Sequence, residues 1–425
     1  MQIKVEKSTK LTRKVTLPAS KSISNRALVI NALSGKGVTP ENLSDCDDTF
    51  VMVRALEGEK LRSEECQLPG QQADTDAAAI PVIDIMAAGT AMRFLTAYLS
   101  ATPGTRIITG TERMRQRPIS VLVDALRTLG AEIEYAENEG FPPLKVTGRR
   151  LQGGGISLPG NVSSQYVSAL LMVGPMLEKG LRLELTGEVV SRPYIDMTLG
   201  IMREFGAEAA WTKENEITVN ARPYTPIPYY IENDWSGSSY WYEMAALTPG
   251  SEIRLPGLFE TSWQGDQAVK DIFAKLGVST TFLPEDGGVL LRHTGKHDDR
   301  LDIDMLRQPD LAQTVVVTCC MLDMPFRITG LQSLKIKETD RIAALRTELR
   351  KLGYVIGEAK DSILFWDGER CEADPEPAID TYEDHRMAMS FAPCAQVLGE
   401  IRINNPQVVS KSYPKFWEEF DVAES

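Results

Sequence analysis

Lysine, arginine and serine recur just ahead of apolar stretches along this chain, a pattern suited to binding anions. The segment Leu17-Pro-Ala-Ser-Lys-Ser-Ile-Ser-Asn-Arg26 sets a proline and small polar residues before an apolar run. A helix starting there presents free backbone N–H groups, and Lys21, Ser22 and Arg26 add donors for phosphate or carboxylate. The plainer reading is a capped helix start with solvated cations. It is not a Walker loop, because G-x-x-x-x-G-K-[ST] is absent.

A second start, Gly160-Asn-Val-Ser-Ser-Gln165, lets Ser163 and Ser164 reach phosphate oxygens at a positive helix terminus, with Gln165 near a hydroxylated ring. Serines at such places also serve simply as caps. In Ala88-Gly-Thr-Ala-Met-Arg93, Gly89 permits close approach either of a compact substrate or of a neighbouring helix. Cations then stand at Arg113-Met-Arg-Gln-Arg-Pro118, which contains Arg117, and at Lys337-Glu-Thr-Asp-Arg341, Asp384-His-Arg386 and Ser410-Lys411. Arginine's planar fork suits carboxylate and phosphate. Structural ion pairing is the alternative, above all for Arg113 and Arg341.

Two carboxylates can do acid–base work: Asp310, after Gln308-Pro309, and Glu338, between Lys337 and Arg341. Neighbouring cations favour their ionised forms, and either can take a proton from a substrate hydroxyl. Asp310 is also placed to cap a helix. No histidine or cysteine spacing suggests a metal; His293 and His297 flank Gly295 in a turn, and Cys319-Cys320 lies in an apolar run.

The elements that must hold these residues repeat. Six apolar, small-residue helices are predicted at Ser24 to Gly37, Ala91 to Gly104, Gln165 to Gly180, Ser239 to Gly250, Gln313 to Pro325 and His385 to Gly399. A second series of amphipathic helices ends at Gly130, Gly206, Gly277 and Gly353, which lie 76, 71 and 76 residues apart. Glycine at that point marks a helix C-cap. A period above 70 residues exceeds ordinary solenoid repeats and suits a compact α/β unit used six times. The Pro-rich stretch Arg222 to Pro228 marks a crossing between two three-unit halves, and Glu57 to Ala79 reads as an exposed excursion or hairpin.

Composition bounds the function. The chain has 425 residues, 43% hydrophobic and 25% charged, which excludes a disordered or collagen-like protein and favours two domains. A formal net charge of −13 argues against non-specific nucleic-acid or anionic-membrane binding, so an anionic ligand needs a local basic pocket. Six cysteines without paired spacing suit reduced thiols, the N-terminal residues do not read as a signal peptide, and no apolar run spans a bilayer. A cytoplasmic, soluble protein is expected, and a monomer.

Taken together, the motifs resemble the 5-enolpyruvylshikimate-3-phosphate synthase family of enolpyruvyl transferases. The resemblance is carried by Leu17 to Arg26, Ala88 to Arg93, Arg113-Met-x-x-Arg-Pro-Ile119, Ser163 to Gln165, Ser191-Arg-Pro-Tyr194, Lys337 to Arg341, Asp384-His-Arg-Met-Ala-Met389 and Ser410-Lys411, in collinear order. It implies a two-domain inside-out α/β prism, each domain three repeats of a βαβαββ-type unit. The domains would be residues 18–228, and residues 1–17 with 229–425, with the active site in the cleft between them.

The resemblance also implies the reaction: the shikimate 3-phosphate 5-hydroxyl adds to C2 of phosphoenolpyruvate, C3 takes a proton, and the tetrahedral intermediate expels phosphate. Shikimate 3-phosphate would meet Lys21, Ser22, Arg26, Ser163, Ser164, Gln165, Ser191, Tyr194, Asp310 and Lys337. Phosphoenolpyruvate would meet Lys21, Gly89, Arg117, Gln165, Arg341, Arg386 and Lys411. Asp310 would take the hydroxyl proton and Glu338 would exchange protons at C3, with Lys21 as a further acid–base participant; neither a metal nor a cofactor is required. Four departures from the family pattern stand out: Ala87 for Asn, Phe94 for Pro, Ser333 for Asn, and the helix entry Asn233 to Ser239, which contains Trp235, for a small-residue Asp-Ala-Ser-Ser pattern. The competing readings are a UDP-N-acetylglucosamine enolpyruvyl transferase, which shares fold and reaction type, and a catalytically silent ligand-binding relative.

Overall fold

The computed structural model of the protein describes residues 1–35, 38–58, 80–190, 192–285 and 287–420. Most of the hairpin expected at Glu57 to Ala79 lies outside the described residues. The chain divides into two compact units, Lys21–Ile231, and Met1–Ser20 with Glu232–Ser425. It therefore passes from one unit to the other at Ser20–Lys21 and at Ile231–Glu232.

In the Lys21–Ile231 unit, helices Lys21–Leu33, Gly89–Ala101 and Ser164–Val173 pack against one another. Their sequences are apolar or small nearly all round, as a helix enclosed on every side must be. Phe94, Leu95, Leu170 and Leu171 are fully buried. Outside them lie two four-stranded sheets with one shared topology. In the first, Val82–Asp84 runs parallel to Gly104–Thr109, which pairs antiparallel with Leu144–Gly148, followed by Glu132–Tyr135 at the edge. The second repeats this order with Gly154–Pro159, Leu181–Thr186, Glu216–Val219 and Ala209–Lys213. Strand Leu181–Thr186 alternates strictly, with Leu181, Leu183 and Leu185 inward and Arg182 and Glu184 outward, so one face meets the helices and the other meets water.

The second unit uses the same plan. Thr12–Lys14, Glu252–Pro256, Gly288–His293 and Val278–Leu283 form one sheet, and Leu301–Asp304, Phe326–Thr329, Ile363–Trp366 and Gly357–Ala359 another, in the same parallel, antiparallel, antiparallel order. The last sheet is completed from the N-terminus: Ala378–Ile379 runs parallel to Glu400–Asn404, which pairs antiparallel with Gln2–Glu6. Helices Trp235–Leu247, Ala312–Met321 and His385–Phe391 fill the interior. Each unit is thus an α/β prism turned inside out, with helices within and sheets outside.

The periodic glycines terminate the outer helices for a geometric reason. After Ser120–Thr128, Gly130 takes φ 102° and donates to Arg127 O at 2.9 Å, while Ala131 N donates to Leu126 O at 2.9 Å. Gly353 repeats both bonds at 3.0 Å after Arg341–Lys351, to Arg350 O and from Tyr354 N to Leu349 O. This paired closure needs a left-handed residue, which is why glycine recurs there.

Candidate functional site

In the Lys21–Ile231 unit, Lys21, Ser22, Gly89, Ser164 and Gln165 stand at the starts of the inner helices, Tyr194 at the start of Arg192–Glu204, and Arg117 between two helices. Arg26, on Lys21–Leu33, is almost wholly buried and donates from Nε to Thr198 Oγ1 at 2.7 Å, from Nη1 to Ser22 O at 2.9 Å, and from Nη2 to Ser168 Oγ at 3.1 Å and Tyr194 O at 3.4 Å. Ser22, Arg26 and Tyr194 are therefore one cluster. Burial lowers the Arg26 guanidinium to about 10, which still leaves it charged at neutral pH. Lys21 lies 3.6 Å from the buried Asp48 carboxylate.

Gly89 opens its helix directly beneath Arg117: a Cβ there would come within 2.6 Å of Arg117 Nη1 and 3.0 Å of Arg93 Nη1. The absent side chain is what lets the guanidinium lie against the helix start. Gln165 Nε2 donates to Thr90 Oγ1 at 3.0 Å, linking the serine-bearing helix start to the Gly89 one. Ser163 is the N-cap of Ser164–Val173 and accepts from Gln165 N at 3.4 Å, so the capping role weighed for it is present. Ser164 is the first residue of that helix. Ser191 lies outside the described residues.

The second unit brings all six of its expected residues together around Arg341. Its guanidinium donates from Nε to Asp384 Oδ2 at 2.7 Å, from Nη1 to Asp310 Oδ1 at 3.2 Å and from Nη2 to Glu338 Oε2 at 2.8 Å. Asp310 also meets Lys337 at 3.3 Å and Arg386 at 3.1 Å, and Glu338 meets Lys411 at 3.3 Å. Four cations thus surround three carboxylates. Burial alone would raise Asp310, but Arg386, Lys337 and Arg341 outweigh it and hold the carboxyl well below its ordinary range. Burial is likewise outweighed at Glu338, chiefly by Arg341 and then Lys411, so it too stays ionised.

Local sequence explains the placement. Asp310 sits in the turn Pro309–Leu311 ahead of Ala312–Met321, and the N-cap of that helix is Leu311, with no side-chain cap bond. The capping alternative for Asp310 is thereby excluded. Asp340 caps Arg341–Lys351 and Asp384 caps His385–Phe391, fixing the starts from which Arg341 and Arg386 project. Lys411 ends the turn Pro406–Lys411, anchored by Tyr413 and Phe416, whose rings meet edge to face at 5.4 Å.

Comparison with known proteins places the whole chain in one family. The family model described as EPSP synthase (3-phosphoshikimate 1-carboxyvinyltransferase) matches residues 5–420. The chain belongs to that family. It is 58% identical over 410 residues to a 3-phosphoshikimate 1-carboxyvinyltransferase of Bacteroides fragilis, covering 96% of this chain and 94% of the relative. A protein of the same name from Shewanella halifaxensis is 37% identical, with 99% of each chain covered. A solved EPSP synthase from Acinetobacter baumannii matches the fold with a TM-score of 0.73 at 22% identity, covering 99% of this chain and 97% of that one.

Several residues of these two clusters escaped sequence reasoning. Asp384 and Asp48 are the carboxylate partners of Arg341 and Lys21, and Thr198 and Ser168 hold Arg26. Asp384 had a legible signal, its place in the Asp384-His-Arg386 motif; the others are single polar residues far away in sequence. Asp266 is a further surprise. It is buried, accepts from the Ser236 hydroxyl, and is pushed up to about 7 by burial and then by the nearby Asp310 charge. The departure at Trp235 has a structural reason: the ring is fully buried and its Nε1 donates to the buried Glu232 at 2.7 Å. Among the described residues, no group of His, Cys, Asp and Glu is arranged to hold a metal, and no helix is long and apolar enough to cross a membrane.

Proposed function

We propose that the chain transfers the enolpyruvyl group of phosphoenolpyruvate to the 5-hydroxyl of shikimate 3-phosphate and releases inorganic phosphate, the reaction of its family in aromatic amino-acid biosynthesis. One observation carries the residue assignments: the ionised carboxylates of Asp310 and Glu338 are held by Arg341, Arg386, Lys337 and Lys411 in one cluster. The two substrates together bring roughly five to six negative charges, whose repulsion demands such cations.

The Lys21–Ile231 unit supplies Lys21, Ser22, Arg26, Ser163, Ser164, Gln165, Ser191 and Tyr194 for shikimate 3-phosphate, and Gly89 and Arg117 for phosphoenolpyruvate, which Lys21 and Gln165 also touch. The other unit supplies Asp310 and Lys337 for the shikimate hydroxyls, and Arg341, Arg386 and Lys411 for phosphoenolpyruvate. Arriving anions draw on the cations that now neutralise Asp310, so its proton affinity rises as the hydroxyl comes to it. Asp310 takes the 5-hydroxyl proton while oxygen bonds to C2; Glu338, ionised before substrates bind, takes up a proton as the bound anions weaken the pull of Arg341 and Lys411, and delivers it to C3. The intermediate then breaks its C2–O bond to phosphate as the Glu338 carboxylate takes the C3 proton back, restoring the double bond, and the proton held by Asp310 leaves with the phosphate. Lys21 assists in proton transfer. Buried, unbridged Cys46, Cys319, Cys320 and Cys394 support a reducing, cytoplasmic setting, and we take the working form to be a monomer.

Phosphate release should require both shikimate 3-phosphate and phosphoenolpyruvate, and should fall sharply in Asp310→Asn and Glu338→Gln. Turnover with UDP-N-acetylglucosamine instead of shikimate 3-phosphate would overturn the substrate assignment, and wild-type rates in either variant would remove that residue from its role.

A further inference from the structure

Arg26 and Arg341 are both buried arginines, yet they are held in opposite ways. Arg341 spends its charge on three carboxylates. Arg26, 3% exposed, touches only neutral oxygens: two hydroxyls, of Thr198 and Ser168, and the carbonyls of Ser22 and Tyr194. Among the described residues no carboxylate pairs with it. Its remaining contact is a π face: the Phe94 ring lies with its centroid 5.3 Å from the guanidinium carbon, and that ring is itself fully buried.

The distinction matters for an anion-binding residue. A carboxylate beside Arg26 would hold it firmly but neutralise it and compete with an incoming anion. An aromatic face attracts the cation, most strongly where both are desolvated, while leaving the charge available to a ligand. Arginine also carries considerable side-chain rotamer freedom, which must be restrained before it can present a fixed fork. Phe94 comes from Gly89–Ala101, whereas Ser168 and Thr198 come from two other helices, so the guanidinium is pinned from three sides besides its own helix.

We infer that Phe94 is a positioning residue for shikimate 3-phosphate, its ring face fixing the Arg26 guanidinium without consuming its charge. The inference rests on the reading that Arg26 binds this substrate. It gives a role to a position at which the chain departs from the family pattern.

The test compares Phe94→Leu, Phe94→Met and Phe94→Tyr with Arg26→Ala, measuring shikimate 3-phosphate affinity by calorimetry and KM for each substrate. Leu and Met fill comparable space without a π face and should weaken shikimate 3-phosphate about tenfold, in line with a desolvated cation–π contact. KM for phosphoenolpyruvate and kcat should stay within about twofold, because the Phe94 ring acts through Arg26, which is assigned to shikimate 3-phosphate alone. Tyr, which keeps the face, should restore near-wild-type affinity. Packing damage alone would instead move both KM values or kcat together, and would count against the inference, as would unchanged affinity in the Leu and Met variants. If Arg26→Ala binds shikimate 3-phosphate normally, the site reading itself fails. If Arg26→Ala binds weakly while Phe94→Leu and Phe94→Met bind normally, only the positioning role falls.

Discussion

Arg341 Nε lies 2.7 Å from Asp384 Oδ2, and the two side chains are only 2% and 0% exposed. Asp384 also accepts from Arg386 N at 2.9 Å, so one carboxylate orients two of the cluster's arginines. Removing it leaves Arg341 buried with less compensation, a loss that typically costs about 3 kcal/mol or more. Asp384→Ala should therefore lower the urea midpoint substantially and weaken phosphoenolpyruvate binding together. An unchanged midpoint would show that Glu338 and Asp310 alone suffice to hold Arg341.

Asp310 should reveal itself through two different pH profiles. Burial favours its neutral form, but Arg386, Lys337 and Arg341 hold it well below the ordinary carboxylate range before substrates bind. Anions bound to those cations reduce their pull, so the acidic limb of kcat should lie at higher pH than that of kcat/KM. Asp310→Asn should lower kcat about 10²- to 10³-fold, within the usual range for loss of a general base. Coincident limbs, or a kcat unchanged in the Asn variant, would argue that another group takes the proton.

Gly89 offers a steric test. A Cβ at this position would come 2.6 Å from Arg117 Nη1, too close without movement, but the contact is with the end of a flexible side chain. Gly89→Ala should fold normally and displace Arg117, raising KM for phosphoenolpyruvate several-fold while leaving that for shikimate 3-phosphate nearly unchanged. A rise confined to shikimate 3-phosphate would contradict the pairing of Gly89 with Arg117 at the phosphoenolpyruvate end.

Local signals were the legible ones. The glycines at 130, 206, 277 and 353 marked helix ends because a left-handed C-terminal closure is a property of a few neighbouring residues. Apolar helices were legible because burial on every side leaves no polar stripe. Helix starts were placed within a few residues, as Ser24 against the observed Lys21 and Ser239 against Trp235 illustrate. What holds the charged residues was not legible. Arg26 finds Thr198 172 residues away and Arg341 finds Asp384 43 residues away, pairings set by how the outer helices pack against the inner ones. For the same reason composition left Asp310 divided between a cap and a cation-bound carboxylate until its three partners were located.

Asp266 carries a pH-dependent liability whose sign can be worked out. Burial, reinforced by the Asp310 charge, pushes it from 3.8 up to about 7, against the Ser236 hydrogen bond and the Arg386 charge, which favour ionisation. Asp234 adds to the upward push. Between these two values the folded state holds a proton that the unfolded chain has lost, so this group's contribution to stability falls as pH rises from about 4 to about 7. Asp266→Asn keeps an acceptor for Ser236 but cannot ionise. It should therefore match wild type below pH 4 and exceed it above pH 7, by on the order of 1 kcal/mol or more, since a tenfold change in proton affinity on folding is worth about that much. Unfolding midpoints of both proteins, measured by urea titration from pH 4 to pH 8.5, check the expectation. A difference that stays constant across that range, or grows toward acid, would show that Asp266 ionises freely in the folded protein.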